Sequence, residues 1–174
     1  MKSPRLLRAL GHRNFRLFFA GQSISMIGTW MQQVALSWLV YEMTRSPLWL
    51  GLVGCAGQIP SLFLAPVAGV LVDHHNRHRL LLLTQSLAMV QAVLVAALTW
   101  SGVITVWHIL LLSAFLGLVN ALDMPARQAF LTDMVTNRED LANAIALNSS
   151  LVNGARLVGP ALAGLLLAQA GAST

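Results

Sequence analysis

Arg156 is a guanidinium set roughly ten residues into an apolar stretch that runs over residues 146–170. A cation at membrane depth is costly, and such residues face a water-filled cavity or a partner. Two roles follow: contact with a substrate or ion on its pathway, or a structural pair with another helix. Asp123 and Arg127 stand four residues apart with the acid N-terminal, the favourable order for a helical ion pair. Asp123 is also the most deeply embedded carboxylate, so proton coupling is the alternative to a plain pair. Gln22, Ser25, Thr29, Gln33 and Ser37 follow steps of three and four, which puts them on one helix face with Gln32 at its edge. Singly, each could hydrogen-bond a neighbouring helix; as a stripe they are better suited to line a wet cavity.

Other candidate chemistry is weak. An intramembrane protease needs a serine or paired aspartates facing a catalytic partner, but the sequence holds no Gly-x-Ser-x-Gly, and His108 lies close to the outer end of its stretch. His74, His75 and His78 read as a solvated interfacial cluster rather than a metal site. The single cysteine, Cys55, excludes a disulfide framework and a cysteine zinc site and reads as a small packed hydrophobe. No enzyme activity, metal or cofactor is expected.

The elements that must carry these residues are set by composition. The 174 residues are 56% hydrophobic and 10% charged, with a mean hydropathy of +0.68; soluble domains are about 25% charged. So few charges could hardly cover the surface of a soluble globule. The excess of 11 Lys+Arg over 6 Asp+Glu could suggest nucleic acid, but the basic residues sit in short clusters between apolar runs, so no nucleic-acid partner is expected and the solvent is lipid. Five stretches are long enough to span a hydrocarbon core, which takes about 20 helical residues: 15–41, 47–72, 80–100, 106–130 and 146–170. The sequence therefore predicts an all-α membrane protein, one domain over residues 1–174, with short connections at 42–46, 73–79 and 101–105 and a longer polar one around 132–143. Gly51, Gly54 and Gly57, then Pro60 and Pro66, suit a second span that packs closely and bends. Trp30, Trp38, Trp49, Trp100 and Trp107 read mostly as interfacial anchors.

Residues 1–14 form a basic arm, and the apolar run after it is too long for a signal h-region. With that arm in the cytoplasm, Lys2, Arg5, Arg8, Arg13, Arg16, Arg77, Arg79, Arg127 and Arg138 all lie inside and Arg45 alone outside, which the positive-inside rule requires. Five spans then leave the C-terminus outside.

The second connection, Gly69-Val-Leu-Val-Asp73-His-His-Asn76-Arg77-His-Arg79, resembles the signature loop of the major facilitator superfamily. Gly69, Asp73, Arg77 and Arg79 match it; His74 replaces a basic residue and Asn76 the turn glycine, a mild change because Asn tolerates the left-handed conformation. The fifth stretch, with Gly159, Pro160 and Gly164, resembles the Gly-Pro motif in the fifth helix of the superfamily's exporters, with Ala163 in place of a glycine. Asp123-Met-Pro125-Ala-Arg127-Gln128, then Asn-Arg-Glu-Asp-Leu-Ala-Asn and Asn148-Ser-Ser, are similar to the siderophore-exporter and transmembrane secretion effector branch. Superfamily bundles contain inverted three-helix repeats, and Pro66–Gly69 and Pro160–Gly164 occupy matching halves of the second and fifth spans.

The resemblance implies five transmembrane helices of an incomplete N-terminal six-helix bundle in the plasma (inner) membrane. It implies part of a secondary transporter that exports a small organic solute, a siderophore or drug, by proton-driven alternating access. The partners would be the lipid bilayer, the solute, protons and a missing C-terminal half on the same or a separate polypeptide. The gating loop would be Gly69, Asp73, Arg77 and Arg79. The alternative is a truncated, non-transporting fragment or regulatory membrane subunit.

Overall fold

A computed structural model of the chain describes Gly11 and residues 13–134 and 138–171. Residues 1–10, most of the basic arm, lie outside the described residues, as do 135–137 in the polar connection. The described chain forms five α-helices, α1 (Arg13–Thr44), α2 (Pro47–His74), α3 (Arg77–Trp100), α4 (Val106–Met134) and α5 (Arg138–Gly171), and no strand is present among the described residues. At 1.5 Å per residue the helices run about 36 to 51 Å, longer than the ~30 Å hydrocarbon layer.

Four of the five are both long and apolar enough to cross a membrane: α2, α3, α4 and residues 141–169 of α5. Of the five expected spans, these four qualify on length and composition, and α1 does not reach the same hydropathy. It has the length, 32 residues, but the Gln, Ser and Thr side chains along it lower its hydropathy. The same residues that suggested a cavity keep α1 from meeting the requirement for a span on composition alone.

The helix ends follow local chemistry. Pro47 opens α2, where its missing N–H costs nothing. Asn76 caps α3 by accepting from the Arg79 N–H at 3.1 Å. Its backbone, at φ −67° and ψ 109°, is extended, so the position read as a left-handed turn is instead a helix cap. Thr105 and His108 cap α4 reciprocally: Thr105 Oγ1 accepts from the His108 N–H at 3.4 Å, and His108 Nδ1 accepts from the Thr105 N–H at 3.1 Å. Gly102, at φ +71°, ends α3 in the left-handed conformation that glycine adopts without strain. Arg45 takes the same region at φ 51° after α1, its N–H donating to Tyr41 O at 2.8 Å.

Two connections are shorter than the polarity pattern suggested. Only His75 and Asn76 separate α2 from α3, because Asp73 and His74 finish one helix and Arg77 starts the next. Likewise α4 continues to Met134 and α5 begins at Arg138, inside the stretch read as a loop at 132–143. Polar residues leave a membrane without leaving a helix, and Ala144, just beyond that stretch, is fully buried.

Contacts divide the chain into two units, Met1–Ala35 with Leu131–Thr174, and Leu36–Phe130. In the first, Phe15 of α1, Leu131 of α4 and Ala144 of α5 form a buried cluster with Phe18, Phe19, Met134, Leu141 and Leu147 around it. In the second, Leu36, Val40, Val95 and Ile109 are buried, with Trp49, Leu50 and Val53 packed on them. Trp49 and Trp107 meet edge to face at 5.3 Å between ring centroids. Large apolar side chains elsewhere face outward, including Ile24 at 76% and Phe63 at 74% exposure, as lipid-facing helices require. Cys55 lies on this exposed surface, not packed inside as its type suggested.

Within each unit one glycine permits a close helix approach. A Cβ on Gly117 of α4 would stand 2.5 Å from Gly57 O of α2 and 3.2 Å from Pro60 Cδ, and Ser61 Oγ donates to Gly117 O at 2.9 Å. A Cβ on Gly159 of α5 would stand 2.5 Å from Trp30 Cβ and 3.0 Å from Ile27 O of α1. Gly117→Ala should therefore destabilise the protein by about 1–3 kcal/mol through overpacking, seen as a lowered melting temperature in detergent. Gly21→Ala, where a Cβ meets nothing within 4 Å, should be neutral or stabilising.

Candidate functional site

Asp123 is 5% exposed in the body of α4, and three groups close around its carboxylate. Thr84 Oγ1 of α3 lies 2.7 Å from Oδ1, Gln85 Nε2 donates to the same oxygen at 3.1 Å, and Arg127 Nη2 pairs with Oδ2. The Thr84 hydroxyl also lies 3.1 Å from Leu81 O; its single proton goes to the charged acceptor, which forms the stronger bond. Seven residues further along α3, fully buried Gln91 donates from Nε2 to Leu112 O of α4 at 3.3 Å. Thr84, Gln85 and Gln91 of α3 thus reach across to α4. Arg127 neutralises the buried Asp123 carboxylate and Thr84 and Gln85 hydrogen-bond it, the arrangement without which a charge in a low-dielectric interior is untenable.

At the α2–α3 connection, Asp73 Oδ1 and Arg77 Nη2 are 3.9 Å apart, with the Asp73 side chain 72% exposed. Arg77 also donates from Nη1 to Ala129 O of α4 at 3.4 Å. This pair is long and open to solvent, so its strength is modest and easily traded. Arg79 is exposed, and a Cβ on half-buried Gly69 would meet nothing within 4 Å. His78 lies 5.6 Å from the Phe130 ring, and His75 Nδ1 is 2.8 Å from Leu71 O; among the described residues no group of His, Cys, Asp or Glu could hold a metal ion.

On α1 the stripe is unevenly placed. Gln22 is buried at 6%, Ser25 is half-buried, and Thr29, Gln33 and Ser37 are exposed. Arg156 of α5 is exposed, and its Cζ lies over the Trp30 ring, 5.4 Å from the centroid. Gly159 brings α1 against α5 one turn away, Pro160 is half-buried, and Gly164 has open space at its Cβ position.

The sequence reading does not anticipate the partners of Thr84, Gln85, Gln91 or Trp30. Thr84 and Gln91, seven apart, share a face of α3, which is the signal for a helix partner. Trp30 was read with the interfacial tryptophans, although it lies mid-helix under Arg156. Arg127, which the positive-inside count includes, is half-buried in the expected pair with Asp123, leaving eight of the nine inside charges for the topology argument.

The transmembrane secretion effector family matches residues 6–174 of this chain. The chain belongs to that family, within the major facilitator superfamily. It is similar to the staphyloferrin A transporter of Staphylococcus aureus, 30% identical across 88% of the chain and 38% of that protein. It is also similar to macrolide efflux protein A of Streptococcus pyogenes, 26% identical over 87% of the chain and 37% of the relative. A further relative is the multidrug efflux pump Tap of Mycobacterium tuberculosis, 27% identical over 92% and 39% respectively. The chain spans less than two-fifths of the length of these relatives. No solved structure matches it. This member of the secretion effector family is thus a multi-pass, all-helical membrane protein whose relatives are transporters.

Breaking a buried ion pair by removing one partner costs about 3–5 kcal/mol, while losing one hydrogen bond to a charged group costs about 1.5–3 kcal/mol. Asp123→Asn should therefore lower the melting temperature in detergent more than Thr84→Val. The double variant should cost less than the sum, because both act on one network.

Proposed function

We propose that this chain supplies the first five helices of a transporter in the plasma (inner) membrane, with its N-terminus in the cytoplasm, exporting a small organic solute of siderophore or drug type. The observation that carries this reading is the family match over residues 6–174, with a staphyloferrin A transporter, a macrolide efflux protein and a multidrug efflux pump among the relatives. Helix α1 is the remaining span, its polar face turned to a central water-filled pathway and its apolar face to lipid. Gln22, Ser25, Thr29, Gln33 and Arg156 contribute to the substrate cavity. Further helices, on the same or a separate polypeptide, complete the other wall.

The solute moves by alternating access driven by the proton gradient. Asp73 and Arg77 act as a gate: a 3.9 Å, solvent-exposed pair can form in one state and open in another without a large energetic penalty. Arg79 adds positive charge to the same end. Asp123 is the embedded carboxylate available for proton coupling, with Arg127 as its resting counter-ion. In the exporter motif, Gly159 permits α5 to lie against α1, Pro160 removes one helix hydrogen bond beside that contact, and Gly164 leaves a bulk-free surface further along.

Transport assays in everted membrane vesicles test this. With the remaining helices present, Asp73→Asn should reduce proton-dependent efflux by about five-fold or more, the lower end of ordinary coupling energies, with membrane insertion unchanged. A reporter placed after His75 should be cytoplasmic and one fused at Gly171 external. Unchanged efflux in Asp73→Asn would remove the gate, and reversed reporters would remove the orientation.

A further inference from the structure

Arg156 lies fifteen residues in from Leu141 and thirteen from Gln169 of the apolar part of α5, near the middle of that span. An arginine at the centre of a spanning helix costs at least about 2.5–3.5 kcal/mol, so its surroundings must compensate it. The embedded pair Asp123 and Arg127 neutralise each other. Arg156 has no such partner among the described residues: no carboxylate pairs with its guanidinium, no acceptor receives its N–H groups, and its one partner is the face of Trp30. A cation–π contact is worth about 0.5–2 kcal/mol, which offsets part of the cost and satisfies none of the five N–H donors.

The contact is also built to hold still. Gly159, three residues on, lets α1 approach until a Cβ there would be 2.5 Å from Trp30 Cβ. The indole is therefore pinned against the α5 backbone. A guanidinium lying on that ring keeps its edge free, and the edge is the part that grips a carboxylate through two parallel hydrogen bonds. On α1, Thr29 and Gln33 flank Trp30 and are exposed, so the ground beside the arginine is polar. On α5, Ser149 and Asn153 share the face of Arg156, and Asn153 donates to Ser149 O at 2.8 Å, leaving the amide oxygen as a further polar edge.

We propose that Arg156, held on Trp30, is a binding site for a carboxylate of the solute, so that the protein handles anionic, carboxylate-bearing molecules. This rests on the transporter reading, which supplies the water-filled pathway by which a solute reaches the site. Trp30 is a positioning residue, since it acts by holding the guanidinium edge outward.

The test uses the purified full-length protein in detergent, with Trp38, Trp49, Trp100 and Trp107 replaced by Phe so that Trp30 is the only tryptophan in residues 1–174. Acetate, succinate and tricarballylate are the probes, and tetraphenylphosphonium is the cationic control. Trp30 emission should change saturably with tricarballylate, more weakly with succinate, and not with tetraphenylphosphonium. Arg156→Gln should weaken tricarballylate binding at least ten-fold, while Arg156→Lys, which keeps the charge, should retain part of it. Equal affinity in Arg156→Gln, verified as folded by its far-ultraviolet circular dichroism, would overturn the site, as would a flat response to every carboxylate. Efflux activity with no carboxylate response overturns the site and leaves the transporter reading standing. Carboxylate binding in a protein without efflux supports the site and overturns that reading.

Discussion

A charge or unpaired polar group in hydrocarbon has no water to turn to, so the protein itself must satisfy it. Asp123 shows what this demands. Its carboxylate takes a guanidinium from its own helix and two donors from α3, which fixes the face that α3 presents to α4 over a full turn. Gln91 repeats the device further along with a backbone carbonyl. These buried polar residues are joints, fixing α3 against α4 by making separation expensive.

Between joints, the helices approach through absence of bulk. Lipid tails are as apolar as leucine, so association relies on close packing. Gly117 against Gly57, and Gly159 against Trp30, are places where one hydrogen replaces a methyl and two backbones come together. Prolines stand beside both contacts, Pro60 and Pro160, inside helices that continue through them. A bundle held by a few polar joints and a few bare contacts can shift between packings more readily than one interlocked by large side chains, which suits a family of transporters.

Much of this was legible in the sequence, because hydropathy and the length of a span are properties of consecutive residues. The helices are readable in that way, the Asp123–Arg127 pair from its four-residue spacing, and the family from the resemblance of its motifs. What escaped was anything set by distant partners or by caps. Thr84 and Asp123 are 39 residues apart, and no local pattern states that they meet. Asn76 was read by its tolerance of positive φ, yet its side chain was worth more as a helix cap. The polar run at 132–143 was taken as a loop because polarity marks departure from lipid, whereas helix propensity carried α4 and α5 through most of it. At α1 one observation has two faces: the polar stripe that suggests a cavity lining also lowers its hydropathy.

The proposed function places α1 within the membrane with water on one side and lipid on the other. Thr29 and Gln33 are exposed on the polar face, and Leu17 and Ile24 are exposed on the opposite one. Spin labels placed singly at these four positions, in a Cys55→Ser background reconstituted in liposomes, can be challenged with oxygen, which concentrates in lipid, and with a water-soluble nickel chelate. Labels at positions 29 and 33 should collide mainly with the chelate and those at 17 and 24 mainly with oxygen. Oxygen dominance at all four positions would contradict the water-facing stripe, and chelate dominance at all four would place α1 outside the bilayer.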